Sequence, residues 1–184
     1  MKTTLVLFSA LLLLALVECG TGVPTSPAAP PTAIMTPTRT YAFAIHLLAD
    51  NVPPEQLAIL SHLELESEPI LTIDDIVTYD KSSHEIELTA AGYERIHGFQ
   101  VPTSGRAFAV SVNGEPIYTG AFWTLLSSQS FDGIVILVDP IEVAKEPTVQ
   151  IQLGYPGPDF FRGDDPRSDP RVLQALGQAG KLRW

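Results

Sequence analysis

The chain has 184 residues, of which 45% are hydrophobic and 17% charged, and it carries a formal net charge of −10. Nucleic acids and anionic membrane surfaces attract basic proteins, so this acidic composition excludes both as expected partners. The single cysteine excludes a disulfide framework and any metal site built from several cysteines.

The first 18 residues have the pattern of a signal peptide. The uncharged run Leu5 to Val17 is shorter than the ~20 residues that a comfortable membrane span requires. The sequence Leu16-Val17-Glu18-Cys19 resembles the lipobox of bacterial lipoproteins, although Glu18 stands where that family has a small residue. The resemblance implies an extracytoplasmic protein tethered to a bacterial membrane through a lipid on Cys19. Plain secretion and an uncleaved membrane anchor are the alternatives.

The sequence divides into three further segments after residue 18. Residues 19–40 are rich in Pro, Thr, Ala and Gly and contain few large apolar side chains, which predicts a disordered tether. Residues 41–155 predict a single α+β domain, and residues 156–184 an irregular C-terminal extension with a short helix.

The domain is predicted to begin with a strand over Tyr41–Leu48, whose apolar and aromatic residues occupy both alternating faces. A short helix is expected from Pro54 to His62 after a break in the chain. Its apolar residues Leu57, Ile59 and Leu60 are expected to point inward.

A capped helical turn and a hairpin are predicted next. Thr72 followed by the acidic pair Asp74 and Asp75 is typical of the start of a helical turn. The segments Ile76–Tyr79 and His84–Leu88 flank a polar tip and indicate a β-hairpin.

The first full helix is predicted over Ala90–His97. Thr89 precedes it as a side-chain cap, and Gly98 marks its end. Tyr93 and Ile96 are three residues apart and therefore share one face of this helix.

The clearest local pattern is a second hairpin. The run Arg106–Val112 is followed by Asn113-Gly114 and by Glu115–Tyr118, and Asn-Gly favours the two-residue turn in which both central residues have positive φ. Pro116 cannot donate a ladder hydrogen bond, so it places the second strand at a sheet edge or at a bulge.

The remaining elements are two strands, Ile134–Val138 and Thr148–Leu153, and a short helix over Pro170–Ala179. Strands outnumber helices, and hairpins dominate. The predicted fold class is therefore α+β, with a largely antiparallel sheet of β-hairpins and one or two short packed helices.

The middle of the chain, about residues 69–138, resembles part of the extracytoplasmic head of SecD, a subunit of the bacterial protein-export machinery. The resemblance is carried by five motifs, which are Leu88–Ile96 (LTAAGYERI), Gly105-Arg106, Phe108–Val110 (FAV), Val112–Ile117 (VNGEPI) and Phe131–Ile136 (FDGIVI). It implies a shared head fold and contact with polypeptides or other envelope components. The membrane helices of SecD have no counterpart here, so the resemblance does not imply a translocase.

An aromatic cluster follows the second hairpin and contains Tyr118, Phe122, Trp123 and Phe131. One interpretation is an apolar groove or exposed patch that binds a peptide or ligand, with Tyr118, Phe122 and Trp123 as its binding residues. The other is that the rings fill the core of a small domain.

Catalytic and metal motifs are not evident. The four histidines have no paired ligand spacing, and the hydroxyls of Ser127–Ser130 have no nucleophile motif around them. We therefore expect no cofactor and no metal. The first hypothesis is a non-enzymatic envelope domain that binds a protein or peptide, by strand addition near Glu115–Tyr118. The alternatives are a small-ligand-binding lipoprotein with an apolar pocket near Trp123 and, with least support, a hydrolase.

Overall fold

A computed structural model describes residues 40–138 and 147–184 of the chain. The predicted signal peptide, Cys19 and all of the predicted tether except Thr40 lie outside the described residues. None of the helices in the described ranges is long and apolar enough to cross a membrane.

The described residues contain nine strands in one mixed sheet. In chain order they are β1 (Ala44–Leu47), β2 (Leu71–Thr72), β3 (Ile76–Asp80), β4 (Glu85–Leu88), β5 (Arg106–Val112), β6 (Glu115–Trp123), β7 (Phe131–Leu137), β8 (Thr148–Tyr155) and β9 (Leu182–Arg183). Their spatial order is β2-β1-β5-β6-β7-β8-β4-β3-β9. Only the β6–β7 and β3–β9 pairs are parallel, so the predicted α+β class with a largely antiparallel sheet is confirmed.

The two faces of this sheet are covered by different material. On the helix side, Phe108, Val110 and Phe122 belong to the main core, together with residues of α1 (Ala90–Gly98) and α2 (Pro170–Gln178). On the turn side, small residues of the central strands let the chain from 52 to 65 pack closely. The residues in contact there are Leu48, Ala107 and Ala109, with Val52, Leu57, Leu60, Leu63 and Leu65 against them.

The predicted helix α1 is confirmed together with its cap. The Thr89 hydroxyl accepts a hydrogen bond of 3.2 Å from the backbone N–H of Gly92, which satisfies one of the free donors at the helix start. Tyr93 and Ile96 are both buried against the main core.

The predicted helix after Pro53 is a 3₁₀ helix over Pro54–Ile59. Leu57 and Leu60 pack on the turn side as predicted, but Ile59 is 80% exposed, so the prediction that it points inward is wrong. A 3₁₀ helix has three residues per turn, so Leu57 and Leu60 lie on one face and Ile59 does not.

The chain beyond residue 155 continues the same fold. Val172, Ala175 and Leu176 of α2 lie in the main core, and Leu173 is partly buried against it. After α2 the backbone N–H of Tyr79 donates to the carbonyl of Lys181 at 2.7 Å, and β9 pairs with β3. These residues add a helix to the core and a strand to the sheet.

Candidate binding surface at the splayed strands

The β5–β6 hairpin turns at Asn113 and Gly114, whose φ angles of 52° and 81° confirm the predicted positive-φ turn. A bulge follows, because Ser111 pairs with Pro116 and Val110 with Tyr118, which leaves Ile117 as the extra residue. Because the bulge interrupts the regular hydrogen-bond ladder, Pro116 is accommodated although it has no N–H to donate. Ile117 packs against the main core on the helix side.

β6 is flanked by β5 along its length but by β7 only in its second half. β7 is in register with β6 from Gly120 to Trp123. The half Glu115–Thr119 therefore has a strand on one side only, among the strands that the structure describes. We call this half the open edge. The sequence predicted either an edge or a bulge at Pro116, and the described strands have both there, because the bulge lies within the open edge.

A groove of about 350 Å³ borders the open edge on the helix side. Val112, Ile117 and Ala175 supply its apolar part, while the hairpin tip and α2 supply polar side chains. Those polar side chains are Asn113, Glu115, Arg171, Gln174 and Gln178. Arg171 lies 3.8 Å from Glu115 and bridges the two walls of this helix-side groove.

A second recess, of about 440 Å³, opens on the turn side where β6 and β7 diverge. We call it the splay cleft. The 3₁₀ turn contributes one wall, Thr119 of the open edge another, and the start of β7 with Arg162-Gly163 the rest. Its full lining is Pro54, Glu55, Leu57, Ala58, Thr119, Phe131, Asp132, Gly133, Arg162 and Gly163. Its volume falls in the range of small-ligand sites.

The Phe131 ring in the splay cleft rests on Trp123. The two rings stack with centroids 5.3 Å apart and an interplanar angle of 13°, and Tyr155 lies 5.9 Å from the indole. A Cβ added to Gly105 would lie 2.3 Å from the indole ring, so Trp123 is pressed onto the bare backbone there. The indole is thus fixed between Gly105 and Phe131 and supports the Phe131 side of the cleft.

The three aromatic residues singled out from the sequence for binding lie in the core. Tyr118, Phe122 and Trp123 are 8%, 0% and 1% exposed, and Tyr118 and Phe122 face the helix side while Trp123 faces the turn side. They form no exposed patch. Tyr118 Oη and Trp123 Nε1 are buried without a hydrogen-bond partner in the described part of the chain.

A buried polar cluster lies on the helix side, at the β3–β4 hairpin. Tyr79 Oη lies 2.8 Å from His84 Nδ1 and donates to the carbonyl of Arg167 at 3.3 Å. Arg167 in turn is held by a two-point ion pair with Asp165 and donates to the carbonyl of Ile151 at 2.9 Å. The cluster therefore ties the chain before α2 to the hairpin and to β8.

Local charge and burial shift the pKa values of the groups in this cluster. Burial, and then the nearby positive charge of Arg167, lower the pKa of His84. Burial raises the pKa of Tyr79, while the hydrogen bond from Arg167 lowers the pKa of Asp165. Perturbed groups mark functional sites in many proteins, but structural networks perturb pKa values in the same way. Every charge here is already engaged by a protein group.

No cluster of metal-binding side chains is found in residues 40–138 and 147–184. No three His, Cys, Asp or Glu side chains converge there as a metal ion would require. The Ser127 hydroxyl accepts a hydrogen bond from the backbone N–H of Gln129, so it stabilises the turn after β6.

Sequence reasoning predicted an edge or a bulge at Pro116 and an apolar pocket near Trp123 as an alternative, but it did not predict which residues line the two recesses. Pro116 and the Asn-Gly turn were the local patterns that marked the edge. The splay cleft joins residues from three distant segments, near 54, 131 and 162, and no spacing in the sequence links them.

No protein-family model, curated protein or solved structure matches the chain.

Proposed function

We propose that this chain is an exported, lipid-anchored, non-enzymatic envelope domain that binds an extended segment of a partner protein. The segment adds as a strand beside Glu115–Thr119, the open edge of β6. The observation that carries the proposal is the position of the two recesses, one on each face of the sheet next to this edge.

The alternation of side chains along a strand explains why two recesses matter. Successive residues of an added strand point to opposite faces of the sheet. One set of side chains would therefore enter the helix-side groove and the other the splay cleft. In this mode of recognition, backbone hydrogen bonds supply affinity and the pockets supply specificity.

The hydrogen bonding of the acidic and histidine groups with shifted pKa values supports a non-enzymatic role. Asp75, His84 and Asp165 have shifted pKa values, yet each is held by neighbours that fix a turn or a loop. The resemblance to the SecD head and to the lipobox supports an envelope partner and an anchor on Cys19.

Photo-crosslinking in intact envelopes tests the binding surface. A benzoylphenylalanine at Glu115, on the open edge, should give a discrete adduct with a partner. The same group at the exposed Glu94 of α1 should not.

Blocking variants make this test specific. Ala58→Trp should obstruct the splay cleft and Gln174→Trp the helix-side groove, so each should abolish the adduct. The matched controls Gln56→Trp and Ala179→Trp place the same ring on exposed positions outside both recesses and should leave it intact. An adduct that survives both blocking variants contradicts strand addition at this edge.

A small ligand in the splay cleft is the second candidate function. The cleft adjoins Trp123 through the stacked Phe131 ring, and its volume suits a small molecule. This alternative predicts that Ala58→Trp removes function while Gln174→Trp has no effect.

Metabolic labelling with palmitate tests the proposed anchor. The parent chain should take up label, and Cys19→Ala should not, because the substitution removes the sulfur that would carry the lipid. Equal labelling of the two chains contradicts the anchor.

A further inference from the structure

We propose further, resting on the strand addition above, that the partner side chain entering the splay cleft is a lysine or an arginine. The lining of the cleft combines apolar surface with acidic side chains. Its apolar part is formed by Pro54, Leu57 and Phe131, and its exposed rim carries the carboxylates of Glu55 and Asp132.

A long basic side chain matches this division of chemistry. Lysine and arginine bury an aliphatic stem along apolar surface while the charged end stays in water. In the splay cleft the stem would lie along Leu57 and Phe131, and the charge would reach the rim between Glu55 and Asp132. An apolar side chain would form no ion pair with the two carboxylates, and an acidic side chain would be repelled by them.

The one basic residue in the lining does not reverse this preference. Arg162 donates through Nη1 to the carbonyls of Asp159 and Phe161, at 2.9 and 2.8 Å, so its guanidinium is held against its own main chain. The surrounding field also favours a cation, since the whole chain carries a net charge of −10.

The helix-side groove selects differently. Its Glu115–Arg171 pair is internally compensated, and Asn113, Gln174 and Gln178 present neutral amides. The preference for a basic side chain therefore belongs to the splay cleft alone and changes when only its rim is altered.

Binding of designed peptides to the full chain in detergent micelles tests the inference. The probes are fluorescein-labelled ten-residue peptides of alternating valine and threonine, with a central lysine, norleucine or glutamate. Norleucine keeps most of the stem and lacks the charge. In fluorescence anisotropy at low salt we expect the lysine peptide to bind about fivefold more tightly than the norleucine peptide. Salt at roughly half molar should reduce this preference.

Rim variants locate the effect. Glu55→Gln and Asp132→Asn should each weaken the lysine peptide and leave the norleucine peptide unchanged. Glu68→Gln removes an exposed carboxylate outside both recesses and should change neither.

The outcomes separate this inference from the proposed function. Equal binding of all three peptides, blocked by Ala58→Trp, overturns the basic preference and leaves strand addition standing. A preference for lysine that persists in both rim variants also overturns the inference. Binding of none of the peptides at up to about 1 mM overturns strand addition and the inference together.

Discussion

Tyr79 and His84 share a buried hydrogen bond of 2.8 Å between Oη and Nδ1, and this contact spans the turn between β3 and β4. His84 adopts a φ of 57°, which directs its ring back under the hairpin toward the chain that precedes α2. His84 is only 8% exposed, and the positive charge of Arg167 acts on its ring. A proton on this ring is therefore unfavourable in the folded protein.

The free energy of unfolding should fall as the pH decreases below about 6.5, the ordinary pKa of histidine. Burial and Arg167 lower the pKa of His84 in the folded state, so over this window the unfolded chain binds the proton more readily. The stabilising contribution is complete above that pH and is lost as the pH falls through the folded-state pKa. Urea titrations at about pH 7.5, 6.5 and 5.5, which are one unit apart around the ordinary histidine pKa, measure it.

His84→Asn should flatten this pH dependence, since asparagine tolerates positive φ and does not titrate. His62→Asn, at an exposed position, is the matched control and should keep the slope of the parent. An unchanged slope in His84→Asn would show that another group controls stability in this range.

Asp75→Ala should destabilise the fold by about 2 kcal/mol, because Asp75 joins a cap to a helix. Its Oδ2 accepts from the Thr72 N–H at 2.8 Å, the Thr72 hydroxyl at 3.0 Å and Arg95 of α1 at 3.0 Å. The Arg95 side chain is 45% exposed, so most of the loss should come from the cap rather than from the ion pair.

Asp74→Ala provides the control for this prediction. Asp74 is adjacent and exposed, so its removal should cost less than about 0.5 kcal/mol in the same urea titration. Similar losses for the two variants would contradict the capping role of Asp75.

Burial would raise the pKa of Asp75, but hydrogen bonds from Arg95 and Thr72 outweigh it and hold that pKa below its ordinary value. The Asp75 contribution should therefore disappear only at strongly acidic pH, well below the histidine window.

Local patterns predicted the elements whose determinants lie within a few residues. The Asn113-Gly114 turn and the Thr89 cap were predictable because each depends on backbone conformation or hydrogen bonding between near neighbours. The acidic pair after Thr72 predicted a capped turn, but only the fold shows that Asp75, and not Asp74, faces Thr72 and Arg95.

Local sequence patterns did not predict the parallel pairing of β6 with β7. The connection Thr124–Ser130 has neither the length nor the helix that usually marks a parallel crossover. The splay cleft follows from that pairing, because β7 joins β6 only at Gly120.

The sequence predicted an aromatic cluster but not where each ring is buried. The rings belong to two different cores, because each ring's core depends on the face of β6 that its residue occupies. Tyr118 and Trp123 lie on opposite faces.

Tyr118→Phe should stabilise the protein by about 1 kcal/mol. The Tyr118 hydroxyl is buried with no hydrogen-bond partner in the described residues, and burying such a group costs about 1–3 kcal/mol. The substitution removes that oxygen while keeping the ring. Burial also raises the pKa of Tyr118, so the phenol stays neutral throughout any ordinary pH range.

Tyr79→Phe is the matched comparison and should have the opposite sign. It removes a phenol whose oxygen contacts His84 and Arg167, and it should destabilise by about 1 kcal/mol. Thermal unfolding followed by circular dichroism compares the two variants with the parent. A lower Tm for Tyr118→Phe than for the parent would contradict the assignment of an unsatisfied hydroxyl.

Gly105→Ala should be more harmful than its size suggests, because two separate penalties coincide there. The φ of Gly105 is 77°, where an alanine is strained by about 1 kcal/mol, and the added Cβ would lie 2.3 Å from the Trp123 ring. Gly180→Ala separates the penalties, since its φ of 69° is similar but no atom lies within 4 Å of the added Cβ. We expect a loss of about 1 kcal/mol for Gly180→Ala and of about 3 kcal/mol for Gly105→Ala.

The larger loss in Gly105→Ala should be accompanied by a changed near-UV circular dichroism signal, because the indole must move off Gly105 and disturb its stacking on Phe131. Equal losses with an unaltered aromatic signal would mean that Trp123 does not rest on Gly105 and does not support the splay cleft through Phe131.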